Sequence, residues 1–391
     1  MKAEDFFVSE DIAAAESLPP RAFTDPAFLE LELDTVFRSS WLMVPEGGEL
    51  GAAGGRLLSE RLKVRGTHVP FSLLGKPLFL QRDWKSRLHC FPNICTHAWY
   101  PLIEGAGRSK TIVCGQHGRS FDCAGRFQAQ SGFGGGEVKD FPRDCDHLRD
   151  LPLAQWNQFL FACLGVPSEP LKELLKPMSA SIAKLPLARF KRHSRGEETR
   201  EVEGNWKQHA GNFMDRFHIT FIHRAPHGLA DGIDLASYRT ELHGGSALQW
   251  VYARDPEHGF DPKHLPGRFK DPKAPEKRVF ALWWFVFPNM SFNFYPWGLS
   301  VNIYAPVPGA PDKTLFTWHH FVWDQKKYLR REAVWLDQQV DDEDIAAMTL
   351  VRRGVASGLA SRGRFAPREE TGPHWLQCRL SQAVFPPGPQ A

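Results

Sequence analysis

The chain of 391 residues contains no run of 18 or more apolar residues, so no segment could cross a bilayer as a helix. Nor does it carry an excess of one charge. Its 48 Lys and Arg stand against 45 Asp and Glu, a balance of +3, too even for a nucleic-acid-binding face. Cysteine is sparse and odd in number. Seven irregularly spaced residues argue against a disulfide framework and for thiols or metal ligands in a reducing compartment. The first residues, Met1 to Phe7, lack the apolar stretch of a signal peptide, and their acids argue against a transit peptide. A cytoplasmic protein with no membrane or nucleic-acid partner is expected. The fingerprint of a dinucleotide site is also missing: Gly51 to Gly55 lacks G-x-G-x-x-G spacing, and Gly134 to Gly136 is only a loop.

What is present is aromatic and imidazole-rich. Thirteen Trp and 29 Phe suit a thick core or a deep apolar pocket, and 16 His is a large supply of the commonest metal ligand. Residues 1–40 read as an arm and a helix, with apolar positions Phe28, Leu31, Leu33 and Phe37. Residues 41–165 carry short alternating runs between glycine turns, as in a small all-β domain. Residues 166–186 look like a linker with a short helix. Within 166–391, a helix is expected over 205–223, strands over 238–322 and a long helix over 325–358, followed by a Pro- and Gly-rich tail. The fold class is α+β with a β-rich insert.

Two constellations carry chemistry. In the first, Cys95-Thr96-His97 is followed by Cys114-Gly115-Gln116-His117. Each short loop offers one thiolate and one imidazole, so two loops could clamp one centre. Zinc and a Rieske [2Fe–2S] cluster both use two Cys and two His. The mixing of ligand types within each loop of a β-rich segment favours the cluster. In the second, Asn212, Asp215 and His218 step by three along one helical face, with His223 five residues further on. His218 and His223 can meet at one metal only if the helix is distorted or ends between them. Two His and a carboxylate form the facial triad of non-haem Fe(II) oxygenases.

Together these motifs resemble the Rieske non-haem iron oxygenase α subunits, of the ring-hydroxylating type. Cys95, His97, Cys114 and His117 match the cluster ligands, and Asn205-Trp206-Lys207 precedes the iron motif as it does in that family. The chain departs at Ala98-Trp99, where members read Arg-Gly, and at Gln116, where an aromatic residue is usual. With Tyr100 and Gln116 at the matching positions, the loop-to-loop disulfide of cytochrome-type Rieske proteins is ruled out.

The resemblance implies an all-β Rieske domain and a helix-grip catalytic domain in which an antiparallel sheet wraps a long helix. It makes His218 and His223 ligands of a mononuclear Fe(II). It makes Asp215 the bridge to a Rieske His (His117) across the interface of a head-to-tail homotrimer, which a β subunit could extend to a hexamer. Electrons would come from a separate NAD(P)H-dependent reductase, directly or through a ferredoxin, with O₂ as co-substrate. The products would be an alcohol, a cis-diol, or a dealkylated amine or ether. Members acting on choline or carnitine tend to carry Glu at the bridge, so Asp215 mildly disfavours a quaternary-amine substrate, and the resemblance implies a small organic substrate, aromatic or cyclic.

The third iron ligand is sought among Asp337, Asp341, Asp342, Glu343 and Asp344. On a helical wheel with Val340 at zero, the apolar stripe centres near ~20°, with Asp344 at ~40° and Asp337 at ~60°, while Asp342 and Glu343 face elsewhere. The family's Glu-Asp pair aligns with Glu343-Asp344, which selects Asp344 over Asp337, although Arg352 stands where members keep Gln. Two other readings remain at this stage: a Rieske electron carrier or inactive paralogue, and a zinc-containing structural protein.

Overall fold

The computed structural model describes residues 2–46, 57–133, 138–224, 228–329 and 331–386, and only the backbone of 194–197 and 331–338. Asp337, Leu336, Gly51 to Gly55 and Gly134 to Gly136 therefore lie outside the described side chains or residues. The chain divides into two compact units, residues 38–168 and residues 1–37 with 169–391. None of the described helices is long and apolar enough to cross a membrane.

The 38–168 unit holds three small antiparallel sheets. Strands Thr67–Leu73 and Lys76–Arg82 join through Leu74-Gly75, both at positive φ, the two-residue turn whose twist matches that of the flanking strands. Strand Leu88–Pro92 leads into one ligand loop, and the hairpin of Thr111–Val113 with Ser120–Asp122 carries the other. Cys95 and Cys114 are buried with Phe79, Phe91, Ile112 and Phe121 in one apolar cluster, which holds the bases of both loops.

The second unit is built on a seven-stranded antiparallel sheet. Its order is Lys191–Glu203, Ala310–Val322, Gly298–Val307, Met290–Tyr295, Val279–Val286, Ser246–Tyr252, Arg239–His243. The edge strand Lys191–Glu203 escapes a hydrophobic-pattern reading because it is dominated by charge. Of the supposed linker at 166–186, residues 169–186 belong to this unit, burying Leu171, Leu174, Leu175, Met178 and Ile182. The tail after Ser361 is not merely irregular: Thr371–Val384 is a helix that buries Trp375, Leu376, Leu380 and Val384.

The expected helix over 205–223 is broken. Trp206–Phe213 starts from Asn205, whose side chain accepts from the Lys207 N–H while Gln208 reaches back to the Asn205 N–H. It stops at Met214, and a separate turn, Ile219–Ile222, follows. That turn is only four residues long and leaves the helical conformation at His223, which lets His218 and His223 at its two ends face one point.

The N-terminal helix Pro26–Glu32 buries Phe28, Leu29 and Glu32, leaving Leu31 and Leu33 half-buried. Glu32 is fully buried because Lys207 Nζ lies 2.8 Å away and Trp206 Nε1 donates to the same oxygen at 3.2 Å. The Asn-Trp-Lys box thus ties the N-terminal arm to the motif helix.

Candidate metal centres

His218, His223 and Asp344 converge. Nε2 of His218 lies 3.0 Å from Nε2 of His223, and Asp344 Oδ1 lies 3.4 Å from the first and 3.1 Å from the second. These are the ligand atoms of the one such His/Cys/Asp/Glu cluster among the described residues. Asp344 comes from helix Arg331–Ala356, the two histidines from either end of the short turn. Burial lowers the His218 pKa, but Asp215 and Asp344 outweigh it and lift it to about 9. Burial raises Asp344, yet the two imidazoles prevail and hold it well below the usual carboxylate range. Oδ1 of Asp344 is buried and makes no hydrogen bond among the described residues. Two nitrogens and one anionic oxygen aimed at a common point are what a divalent cation satisfies without a proton, so the residues fit Fe(II).

Each histidine is held from behind by a carboxylate. Asp215 Oδ2 lies 3.3 Å from His218 Nδ1, and Glu343 Oε2 lies 2.7 Å from His223 Nδ1. The wheel set Glu343 aside, but a helix seated this close offers a wider arc than its apolar stripe, and the flanking acid reaches the site. Asp342 points away to Arg200. Arg352 is also turned aside, pairing with Asp312 at 2.5 Å and Glu203 at 3.0 Å, so its departure from the family pattern does not touch the triad.

Beside the triad lies a cavity of about 100 Å³. Its lining includes Asn212, Asp215 and Asp341, and eight aromatic rings: Phe213, Tyr238, Phe280, Trp283, Tyr295, Trp297, Tyr304 and Phe316. Trp283, Tyr295 and Trp297 line the cavity, Trp284, Phe292 and Phe294 take the opposite face of their strands, and Phe285, on the Trp283 face, packs beyond the cavity against Phe213 and Trp375. Trp283 is fixed by its Nε1–H donating to Tyr295 Oη at 3.0 Å. Neither His319 nor His320 lines it. His209 does, but its Nε2–H is engaged by the Glu203 carbonyl at 2.9 Å. The sequence reading overlooked Asn293 and Asn302, although Ser-x-Asn occurs in both adjoining strands.

In the other unit the rings of His97 and His117 stand edge to face with centroids 4.8 Å apart. Burial raises the Cys95 pKa, and so does the neighbouring Cys114 thiol, while the N–H groups of His97 and Ala98 aimed at its sulfur oppose them. Paired thiols with N–H donors at the sulfur suit thiolates on a cluster. Gln130 Nε2 lies 3.1 Å from His97 Nδ1, and the buried Arg119 holds Gln130, Thr96 and Asp146. Trp99, where members keep Gly, stands at φ +61° and is 81% exposed. Trp99 thus holds the left-handed backbone that favours glycine and packs little in return.

Residues 189–384 match the ring hydroxylating alpha subunit (catalytic domain) family, half of the chain, and residues 57–142 match the Rieske [2Fe-2S] domain family. The chain belongs to the ring-hydroxylating oxygenase α subunits. It is a Rieske oxygenase terminal component, an O₂-using enzyme with a Rieske cluster and a non-haem iron, and as such takes electrons from a reductase or ferredoxin. A chloroplastic choline monooxygenase of Arabidopsis thaliana is 26% identical over 387 residues, 93% of this chain and 82% of that protein. The carnitine monooxygenase oxygenase subunit of Acinetobacter pittii is 24% identical, covering 92% of this chain and 91% of that one. In fold, the chain is similar to a quaternary ammonium Rieske monooxygenase, with a TM-score of 0.73 at 19% identity over 97% of this chain and 98% of that one. Rhodococcus naphthalene 1,2-dioxygenase gives 0.70 at 14% identity over 95% of both.

Proposed function

We propose that this oxygenase component acts on a small ammonium compound, at a C–H bond next to or near the nitrogen. The observation that carries this reading is the cavity wall. Eight aromatic rings and the carboxylates of Asp215, Asp341 and Asp344 line it, with no Lys or Arg among the described lining residues. Ring faces attract a cation within about 6 Å, and desolvation strengthens that attraction. A carboxylate substituent would find no cationic partner. A neutral aromatic, within the class expected from the sequence, fits the rings but leaves the buried amide oxygens of the wall unpaired. The choline monooxygenases among its relatives support the same direction.

We assign Cys95, His97, Cys114 and His117 to the cluster and His218, His223 and Asp344 to the iron. When bound, these groups supply electrons and oxygen activation. The protein's own part is to hold substrate among Trp283, Tyr295 and Trp297 and to keep bulk water from the triad. Asp215 holds His218 in orientation with one oxygen and is the candidate electron bridge to His117 of a neighbouring copy in a homotrimer. Asn212 sits on the cavity wall beside it. Seven free cysteines support a reducing, cytoplasmic setting.

The test is anaerobic iron and sulfide counting followed by O₂ uptake on paired panels of methylated ammonium compounds and neutral aromatics, with formaldehyde assayed. About three irons and two sulfides per chain, with uptake confined to the ammonium panel, is the expected result; formaldehyde marks those compounds attacked at an N-methyl group. Turnover of the neutral aromatics alone would overturn the substrate reading.

A further inference from the structure

Strands Met290–Tyr295 and Gly298–Val307 pair so that Ser291 stands opposite Asn302 and Asn293 opposite Ser300. Side chains alternate between faces, so these four share one face, while Phe292, Phe294 and Val301 take the other. All four polar residues are buried, at 0 to 3% exposure. A polar quartet inside a sheet costs free energy unless its groups are hydrogen-bonded. Part of that need is met internally. Asn293 Nδ2 donates to Ser300 Oγ at 3.1 Å and, more weakly, to Ser291 Oγ at 3.5 Å. The phenol of Tyr304, next along the same face, bonds with Ser291 and Asn302. The carboxamide oxygens are different. Oδ1 of Asn293 and Oδ1 of Asn302 are buried and have no hydrogen-bond partner among the described residues. Both asparagines line the cavity, and the two serines do not.

We propose that Asn293 and Asn302 are specificity-determining residues whose carboxamide oxygens accept hydrogen bonds from a hydroxyl or N–H of the substrate. The ammonium compound taken is then one bearing such a donor, as an amino alcohol does. The cation rests on the function proposed above; the donor does not. A site built around buried acceptors discriminates strongly, because a ligand lacking the donor leaves them unpaired. The carboxylates of the cavity point the same way, since acceptor-only substituents would meet like charge.

The test is calorimetric binding to the iron-loaded enzyme with two matched pairs, choline against ethyltrimethylammonium and benzyl alcohol against toluene. The hydroxylated member is expected to bind about 10- to 100-fold tighter. The advantage should fall toward unity in Asn293→Leu and Asn302→Leu, whose retained mononuclear iron confirms that the catalytic unit is folded. An advantage in the benzyl alcohol pair alone keeps the asparagine assignment and removes the ammonium reading. No advantage in either pair, through equal binding or none, overturns the assignment. So does an advantage that survives both substitutions.

Discussion

Oε2 of Glu343 lies 2.7 Å from Nδ1 of His223, while the other ring nitrogen of the same histidine faces Asp344 Oδ1 at 3.1 Å. Two consecutive acids on one helix thus grip one imidazole from both ends. Gln339 Nε2 holds the far oxygen of Glu343 at 2.7 Å. Such outer carboxylates fix the tautomer and rotation of a ligand histidine.

Glu343→Ala should therefore lower Fe(II) affinity by about 10- to 100-fold, with Glu343→Gln less affected because it can still bond the ring. Asp344→Ala should lose the mononuclear iron outright while keeping the cluster iron. Fe(II) titration against the cluster signal as internal count reads both. Wild-type affinity in Glu343→Ala would mean that the carboxylate is only a neighbour.

The buried pair of Lys207 and Glu32 gives a stability prediction. Burial pushes Glu32 up and Lys207 down, toward their neutral forms, and the attraction of each for the other opposes this. Removing one partner leaves a charge in a fully enclosed place. Lys207→Met should cost about 3–5 kcal/mol, whereas Glu32→Leu with Lys207→Met should recover much of that loss. Denaturant midpoints of the catalytic unit provide the measurement. A double variant no better than the single would show that the contacts of the Lys207 ammonium with the rings of Phe23, Phe28 and Trp206 matter more than its pairing with Glu32.

How much of this was legible beforehand depends on what each feature needs. The cluster loops and the two histidines could be read because ligand type and spacing are local. A distortion or end was required between His218 and His223, but the break at Met214, ahead of both, was not foreseen, since no Pro or Gly marks it between Asn212 and His218. Helical period alone narrowed the acids to Asp344 and Asp337, and the family's Glu-Asp pair then selected Asp344. Glu343 could not be placed at the site, because its role depends on how near the helix sits to His223. The strand Lys191–Glu203 and the helix Thr371–Val384 were missed for opposite reasons. The first hides its pairing beneath charges, and the second follows a stretch rich in turn residues. Asn293 and Asn302 look like ordinary solvent-facing positions until burial is known.

His89 sets a pH dependence in the other unit. Its Nδ1 lies 2.6 Å from Asp150 and its Nε2 3.3 Å from Asp83. The Asp150 hydrogen bond raises its pKa above 6.5, burial opposes this, and Asp83 adds to the rise. A folded-state pKa above the unfolded one means that the protonated histidine stabilises the fold. That contribution is complete below about pH 6.5 and is lost as pH climbs through the higher folded value. The stability gap between wild type and His89→Gln should therefore narrow from about pH 6 to about pH 9. Urea midpoints across that range decide it, and a gap that widens with pH would refute the pairing.

Asp215 provides the sharpest test of the proposed electron route. One of its oxygens accepts the Phe217 N–H at 2.6 Å, and the other lies 3.3 Å from His218 Nδ1. The carboxylate is therefore anchored within its own chain before any neighbour arrives. If it also receives the imidazole of His117 from a second copy, Asp215→Ala should leave three irons per chain and a normally reducible cluster. Oxidation of that cluster in a single turnover with substrate and O₂ should nevertheless slow by about 100-fold or more, the scale on which a lost positioning contact acts. Asp215→Asn keeps the shape without the charge and should fall between the two. A role confined to holding His218 would instead appear as weakened Fe(II) affinity, with normal cluster oxidation in the fraction that retains iron. Measuring iron content and cluster oxidation on the same samples separates the two roles.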